Sequence, residues 1–396
     1  LIHRKGTAGF SEDAGRVLAG FLTSNARRTA GNLNLKATTA AVEAIPKEQG
    51  ELKGYAAELL QYTTNPVEEA AALRGLLFFS YLGGSVASAM VNMTQPLAVT
   101  MPYLSQFGGA KKAAKQVARA FKDMAAGKPF EDGLAQALKA AEASGLVQPQ
   151  EIHSLMAQAR GKGSLRSGDG TRVGNAAAAT SNAISKGLVA WGQLFAYAEI
   201  INRRSTFVAA YRTAVAEKMP DPAKFAAESV VATQFLYNKA NRPRWARGAI
   251  GATLFTFRTY SISYLELLAR MAKSGPEGRK AVALAIAVLF LMSGADGLPF
   301  MEDAEDVLDA FMQRVMGRNW STKARRNEFL ADLLGKEAGA FLQNGISGLP
   351  GVPIDVSGRM GMGNLLPGTG LLRKDSDPAR DTKEIFGPAG DLIERS

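Results

Sequence analysis

From Gly75 to Ala110 the chain carries no charged side chain at all. A run of that length has to be screened from water, inside either a large protein core or a bilayer. As a helix, Gly75 to Thr94 is long enough to cross the roughly 30 Å of a bilayer's hydrocarbon. It also places small residues four apart, Gly83 with Ala87 and Gly84 with Ser88, beside Leu82 and Val86. That spacing lets a second helix approach closely. Leu82, Gly83, Gly84, Val86, Ala87 and Ser88 are therefore candidate membrane or helix-interface residues. Ser80, Ser85, Ser88, Asn92 and Gln95, followed by the breaks at Pro96 and Pro102, fit a buried helix of an all-α core better. Both readings stand at this point, the buried helix first.

The rest of the sequence points the same way. Composition leans on Ala, Leu, Gly, Lys and Arg, while β-branched residues are sparse and seldom alternate, a pattern that favours helices over sheets. The expected fold is all-α: extended multi-helix bundle subdomains followed by an ordered Gly/Pro-rich C-terminal loop region. The run GKGSLRSGDGTRVG reads as a linker over 161–175. It divides an N-terminal helical subdomain (1–160) from a central one (176–342), with a Gly/Pro-rich segment over 343–396. Asp221-Pro222 is a helix start and Gly275-Pro276 a helix stop. The twelve apolar residues Ala281 to Met292 are too short to span a bilayer and read as a core helix. The acidic run Glu302, Asp303, Glu305, Asp306 and Asp309 lacks the alternation of a calcium loop and reads as a solvated helix turn. Opening at Leu1, the sequence reads as a stretch of a longer polypeptide, and no secretory signal pattern stands at its start.

Charge narrows the partners. Lys and Arg number 47 against 36 Asp and Glu, a formal +11, which suits nucleic acid, anionic lipid or acidic protein surfaces. Lys111, Lys112, Lys115, Arg119 and Lys122 form one face of a cationic amphipathic helix. Between Arg203 and Arg270 basic and aromatic residues interleave. Lys239, Arg242, Arg244, Trp245, Arg247 and Arg258 are the candidate nucleic-acid or polyanion contacts, since guanidinium groups suit phosphate and flat rings stack on bases. The competing reading is a helix–loop–helix corner whose arginines pair with acids.

There is no cysteine, and His3 and His153 are the only imidazoles, so disulfides and thiolate metal sites are excluded. No Gly-x-Ser-x-Gly elbow, phosphate-binding loop or His-Glu-x-x-His spacing occurs. The expectation is a non-enzyme without cofactor, metal or catalytic residues. Glu58 with Glu68-Glu69 is a conceivable carboxylate pair for glycoside cleavage, but nothing in the sequence marks a cleft that raises one pKa.

Three phrases carry a resemblance: NRPRWARGAIGATLFTFRTY, MSGADGLPFMEDAEDVLDAFMQR and GLPGVPIDVSGRMGMGNLLPGTGLL. Together they resemble the tail region of very large phage proteins named for a Pro-Leu-x-Arg-Phe-Gly motif, and the internal virion (ejection) proteins of short-tailed phages. The likeness covers Ala176 to Ser396 well and the preceding half only in style; the motif itself does not occur in this chain. The resemblance implies a ring-like homo-oligomer in the virion's internal core. Its partners there would be other internal virion proteins, the portal and genomic double-stranded DNA. Release with the genome would then help build a conduit through the host periplasm and inner membrane. A DNA-binding core scaffold that never touches a membrane is the alternative.

Overall fold

The computed structural model describes residues 25, 29, 32–65, 69–70, 74, 86–148, 195–235, 242–254, 258–317, 320–352, 356, 362–366 and 368–373. The described residues are helical throughout, joined by turns, with no strand among them. In chain order the helices are α1 (32–43), α2 (Gly50–Thr64), α3 (Val86–Met93), α4 (Met101–Gly108), α5 (Ala110–Ala125), α6 (Asp132–Ala143) and α7 (195–216). Then come α8 (Pro222–Thr233), α9 (Gly248–Leu254), α10 (Thr259–Lys273), α11 (Pro276–Ser293), α12 (Met301–Val315), α13 (Thr322–Leu334) and α14 (Lys336–Asn344).

The helix ends follow local chemistry. Asp221 caps α8 by accepting the Lys224 amide at 2.9 Å, with Pro222 preset for the first helical position. Gly275, at φ 110°, turns the chain between α10 and α11. Gly294 and Gly345 end α11 and α14, both at positive φ, and the two helix ends press backbone to backbone. A Cβ on Gly294 would sit 2.2 Å from the Gln343 carbonyl oxygen; one on Gly345 would sit 2.4 Å from the Met292 carbonyl carbon. Only glycine fits either position.

Among the described residues two apolar cores result. One gathers Ala98 and Val99 with Tyr264, Leu267 and Met271 of α10 and Ala281, Ala285, Leu289 and Met292 of α11. The expected core helix at 281–292 is thus buried along one face. Val356 and Met362, from the Gly/Pro-rich segment, enter the same core. The other core packs Leu104 with α5, α6, α7 and α8 through Val117, Leu134, Leu138, Phe207 and Val230. Tyr103 lies against both. Each such side chain contributes about 1.5–3 kcal/mol on burial. Each of these cores draws residues from both sides of the proposed linker. Linker composition marks where the chain is polar, not which helices share a core. The linker at 161–175 lies outside the described residues.

The described part of the charge-free stretch is a core element. Ser88, Gln95, Thr100 and Ser105 are buried with Ala98, Val99 and Leu104. Two of its polar groups find partners on facing helices: Thr100 Oγ1 lies 2.8 Å from Thr206 Oγ1, and Gln95 Nε2 donates to the Thr233 carbonyl at 3.2 Å. Hydroxyls and amides are therefore compatible with burial here, as hydrogen-bonded interior groups must be. No helix among the described residues is long and apolar enough to cross a membrane.

Candidate interaction surfaces

The basic-aromatic run folds into an internal knot. Arg242 is buried and donates from Nη1 to Glu69 Oε2 at 2.6 Å and to the Tyr62 hydroxyl at 3.0 Å. Tyr62 in turn donates to Glu69 Oε2 at 2.7 Å. Arg247 reaches Glu58 Oε1 at 3.1 Å and lies over the Tyr62 ring, 4.7 Å from its centre. Arg244 is exposed and pairs with Glu58 Oε2 at 2.8 Å. Arg258 points elsewhere, donating to the Leu365 carbonyl at 2.7 Å. Arg242, Arg247 and Arg258 thus serve as structural clamps, while Arg244 and Trp245 are the members of the proposed polyanion set that face solvent. Lys239 lies outside the described residues. The acids that claim these arginines sit on or just after α2, some 170–190 residues earlier in the chain.

The same knot settles what Glu69 is suited to. Burial pushes its carboxyl up. The Tyr62 hydroxyl, the Gly248 amide and Arg242 outweigh that and hold it below the usual carboxylate range. The Tyr62 phenol, pushed up to about 12 by burial and by Glu69, stays protonated as a donor. A glycosidase general acid needs the opposite shift.

Of the candidate interface residues, Ser88 is buried on α3. Val86 and Ala87 belong to the same helix. Leu82, Gly83 and Gly84 lie outside the described residues.

The acidic run takes the least expected place. Asp303, Glu305, Asp306 and Asp309 are all buried on one face of α12, so the solvated turn read from the sequence is corrected. Asp303 accepts the amides of Leu365 at 2.8 Å and Leu366 at 3.1 Å, and the Thr369 hydroxyl at 3.1 Å. Asp306 takes Thr369 at 3.3 Å and Arg373 at 3.3 Å. Asp309 accepts the Thr322 amide at 2.6 Å, at the start of α13. Glu305 and Asp296 both hold Arg326, and Asp296 also holds Lys323 at 2.8 Å. The first turn of α12 completes the clasp, its Glu302 and Asp303 amides donating to the Gly363 carbonyl at 3.0 and 3.3 Å. Among the described residues five carboxylates face three cations here, and backbone amides with the Thr369 hydroxyl supply further donors, which is how buried acids stay satisfied. Burial, reinforced by Asp296 and Asp309, keeps the Glu305 carboxyl above its ordinary value despite Arg326 and Lys323.

No family model, curated protein or solved structure matches this chain.

With its acids turned inward, α12 presents Val307, Leu308, Phe311 and Val315 to solvent, Phe311 at 59% exposure and Val315 at 64%. The opposite arrangement holds on α5. Ala113, Val117 and Ala120 are buried, and Lys111, Lys115 and Lys122 stand exposed along one stripe with no ion pair among the described residues. Lys112 and Arg119 beside them pair with Glu217 and Glu131. Among the described residues the α5 stripe is thus an uncommitted basic surface, whereas Arg242, Arg244, Arg247 and Arg258 are held by protein partners. The sequence pattern shows α5 as a cationic amphipathic helix, and the pairing of the arginines elsewhere gives its lysines prominence.

Proposed function

We propose that this chain is a non-enzymatic structural protein of a bacteriophage virion interior, an internal virion (ejection) protein released with the genome. One observation carries the reading. The three phrases that resemble such proteins are bound to one another: Arg258 of the first holds the Leu365 carbonyl, and Asp303 of the second holds the Leu365 and Leu366 amides. Leu365 belongs to the third. Residues that mark the likeness thus do architectural work at a shared joint, as expected of a protein whose role is to be a shaped part. On this reading it acts as a ring-like homo-oligomer beside other internal virion proteins, the portal and genomic double-stranded DNA. After ejection it helps form a conduit across the host periplasm and inner membrane.

Comparing intact particles with particles emptied by ejection tests this. The chain is expected in the former and lost from the latter; a chain that stays with the emptied capsid, or never enters it, overturns the reading.

The second reading, a DNA-binding core scaffold without membrane contact, is favoured by the lysine stripe on α5, which has no ion pair among the described residues. Three phosphate contacts would give a slope of log affinity against log salt near −2.7, about −0.9 per contact. Lys115→Gln would lower its magnitude by about one contact's share. Such a slope together with no vesicle binding would favour the scaffold.

A further inference from the structure

We propose that α13 is a latched flap: it undocks from α12 as a unit, about a hinge at its C-terminal end, while both apolar cores stay folded. No residue of α13 is buried, and none enters either core. Phe329 and Leu333 are exposed at 63% and 64%. Burial of apolar area, which holds α10 and α11, therefore contributes little to keeping this helix in place.

Charge holds it instead. Among the described residues, its polar ties to α12 and to the turn at Ala295–Gly297 all lie at one end. Asp296 and Glu305 grip Arg326, Asp296 holds Lys323 at 2.8 Å, and Asp309 accepts the Thr322 amide at 2.6 Å. Just before the helix, the Trp320 carbonyl takes the Gln313 side-chain amide at 3.0 Å. The helix depends on this latch. Its first turn carries Lys323 and Arg325 and no acid, the wrong sign for the positive end of a helix dipole. An isolated helix of 13 residues is also marginal in water. Once released from the acids, α13 is therefore expected to melt rather than to drift away intact.

The other end is shaped to turn. Gly335 sits at φ 85° between α13 and α14, where a Cβ would meet nothing within 4 Å. Beyond it Gly339 packs under the backbone of α13, where a Cβ would sit 3.0 Å from the Ala331 nitrogen. α14 itself is fixed to the body by the close approach of Gly345 to Met292 and of Gly294 to Gln343. At the free end Gly317 has φ 108°, again with nothing within 4 Å of a Cβ. Glycines at positive φ in open space absorb a change of backbone direction at little cost. The chain can therefore bend at 317 and 335 while α12 and α14 keep their places.

Native-state hydrogen exchange of the full chain, at urea concentrations below its unfolding midpoint, tests the flap. Backbone amides 326–334 are expected to share one opening equilibrium with weak urea dependence. That opening should be at least about a hundredfold more frequent than that of Ala285 and Leu289 in α11. Arg326→Gln should raise the α13 opening at least about tenfold, because bonds to charged groups carry that weight. Lys323→Gln should raise it less, and carries the comparison if the arginine variant does not fold. Leu289→Val, which loosens the core, should speed α11 exchange and leave the α13 opening as it was. The flap is overturned if α13 and α11 amides exchange at one rate with one urea dependence. It is equally overturned if Leu289→Val speeds both helices alike, or if Arg326→Gln leaves the α13 opening unchanged. Amides that open in a gradient from Thr322 inward, as a fraying end does, would overturn it too.

Discussion

Helices α5 and α12 are both two-faced and of similar length, 16 and 15 residues, yet they present opposite faces to the protein. On α5 the small apolar residues Ala113, Val117 and Ala120 go in and the lysines go out. On α12 Asp303, Glu305, Asp306 and Asp309 go in, while Val307, Phe311 and Val315 go out. The difference lies in the partners each charged face can find. On α5, Lys111, Lys115 and Lys122 pair with no acid among the described residues, so water is their best solvent, while Lys112 holds Glu217 at the surface. The α12 carboxylates meet backbone amides of residues 365, 366 and 322, the Thr369 hydroxyl, and Arg326 and Arg373. Charge-assisted bonds of that number offset the cost of desolvating the acids, which an unpaired buried charge never recovers.

The sharpest way to break the comparison is to place the same charge on the apolar side of each helix. Val117→Asp buries a carboxylate with no partner and is expected to cost more than about 3 kcal/mol, read as a lowered urea midpoint. Phe311→Asp puts the same group into solvent and is expected to change stability by less than about 0.5 kcal/mol. Equal losses would mean that α12 is packed like α5.

Next in size is the clasp itself. Asp303→Ala removes the acceptor for two amides and a hydroxyl at once. A loss of about 2–4 kcal/mol is expected, with new proteolytic cuts between residues 362 and 373. Stability lost without new cuts would mean that the loop is held chiefly by its other contacts, among them Arg258 on Leu365, Asp306 on Thr369 and Arg373, and the burial of Val356 and Met362.

These two tests also show which parts were legible. The all-α class, the helix start at Asp221-Pro222, the stop at Gly275-Pro276 and the buried run at Ala281 to Met292 follow from neighbours within a few residues, so local pattern revealed them. The orientation of α12 did not, because Asp303 and its partners lie more than 60 residues apart. The roles of Arg242 and Arg247 depend on Glu69 and Glu58, still further away. An amphipathic pattern says that a helix has two faces; which face is buried depends on what the rest of the chain brings to it.

Acid sharpens the contrast between two held carboxylates. Glu69 has its folded pKa depressed, so its contribution is present above the ordinary carboxylate value of about 4.3 and is lost as pH falls through the folded value. Glu305 has its folded pKa raised, so stability declines as pH rises from the ordinary value through the folded one. Glu69→Gln should therefore lower stability at neutral pH and flatten its acid limb. Glu305→Gln should leave neutral stability unchanged or raised. Melting temperatures across the acid range check both signs; parallel curves for the two variants would contradict them. The smallest effect is expected on α5, where Lys111→Gln, Lys115→Gln and Lys122→Gln should each shift the urea midpoint by the equivalent of less than about 0.5 kcal/mol.

Because the chain has no cysteine, a single introduced thiol reports only on its own position. Four variants read both helices: Ala118→Cys and Ala120→Cys on α5, Phe311→Cys and Ala310→Cys on α12. In the folded protein a maleimide is expected to react at positions 118 and 311 nearly as fast as with a free thiol. Positions 120 and 310, both buried, should react only in denaturant. Protection at 311 combined with rapid labelling at 310 would show that α12 turns its apolar face inward after all.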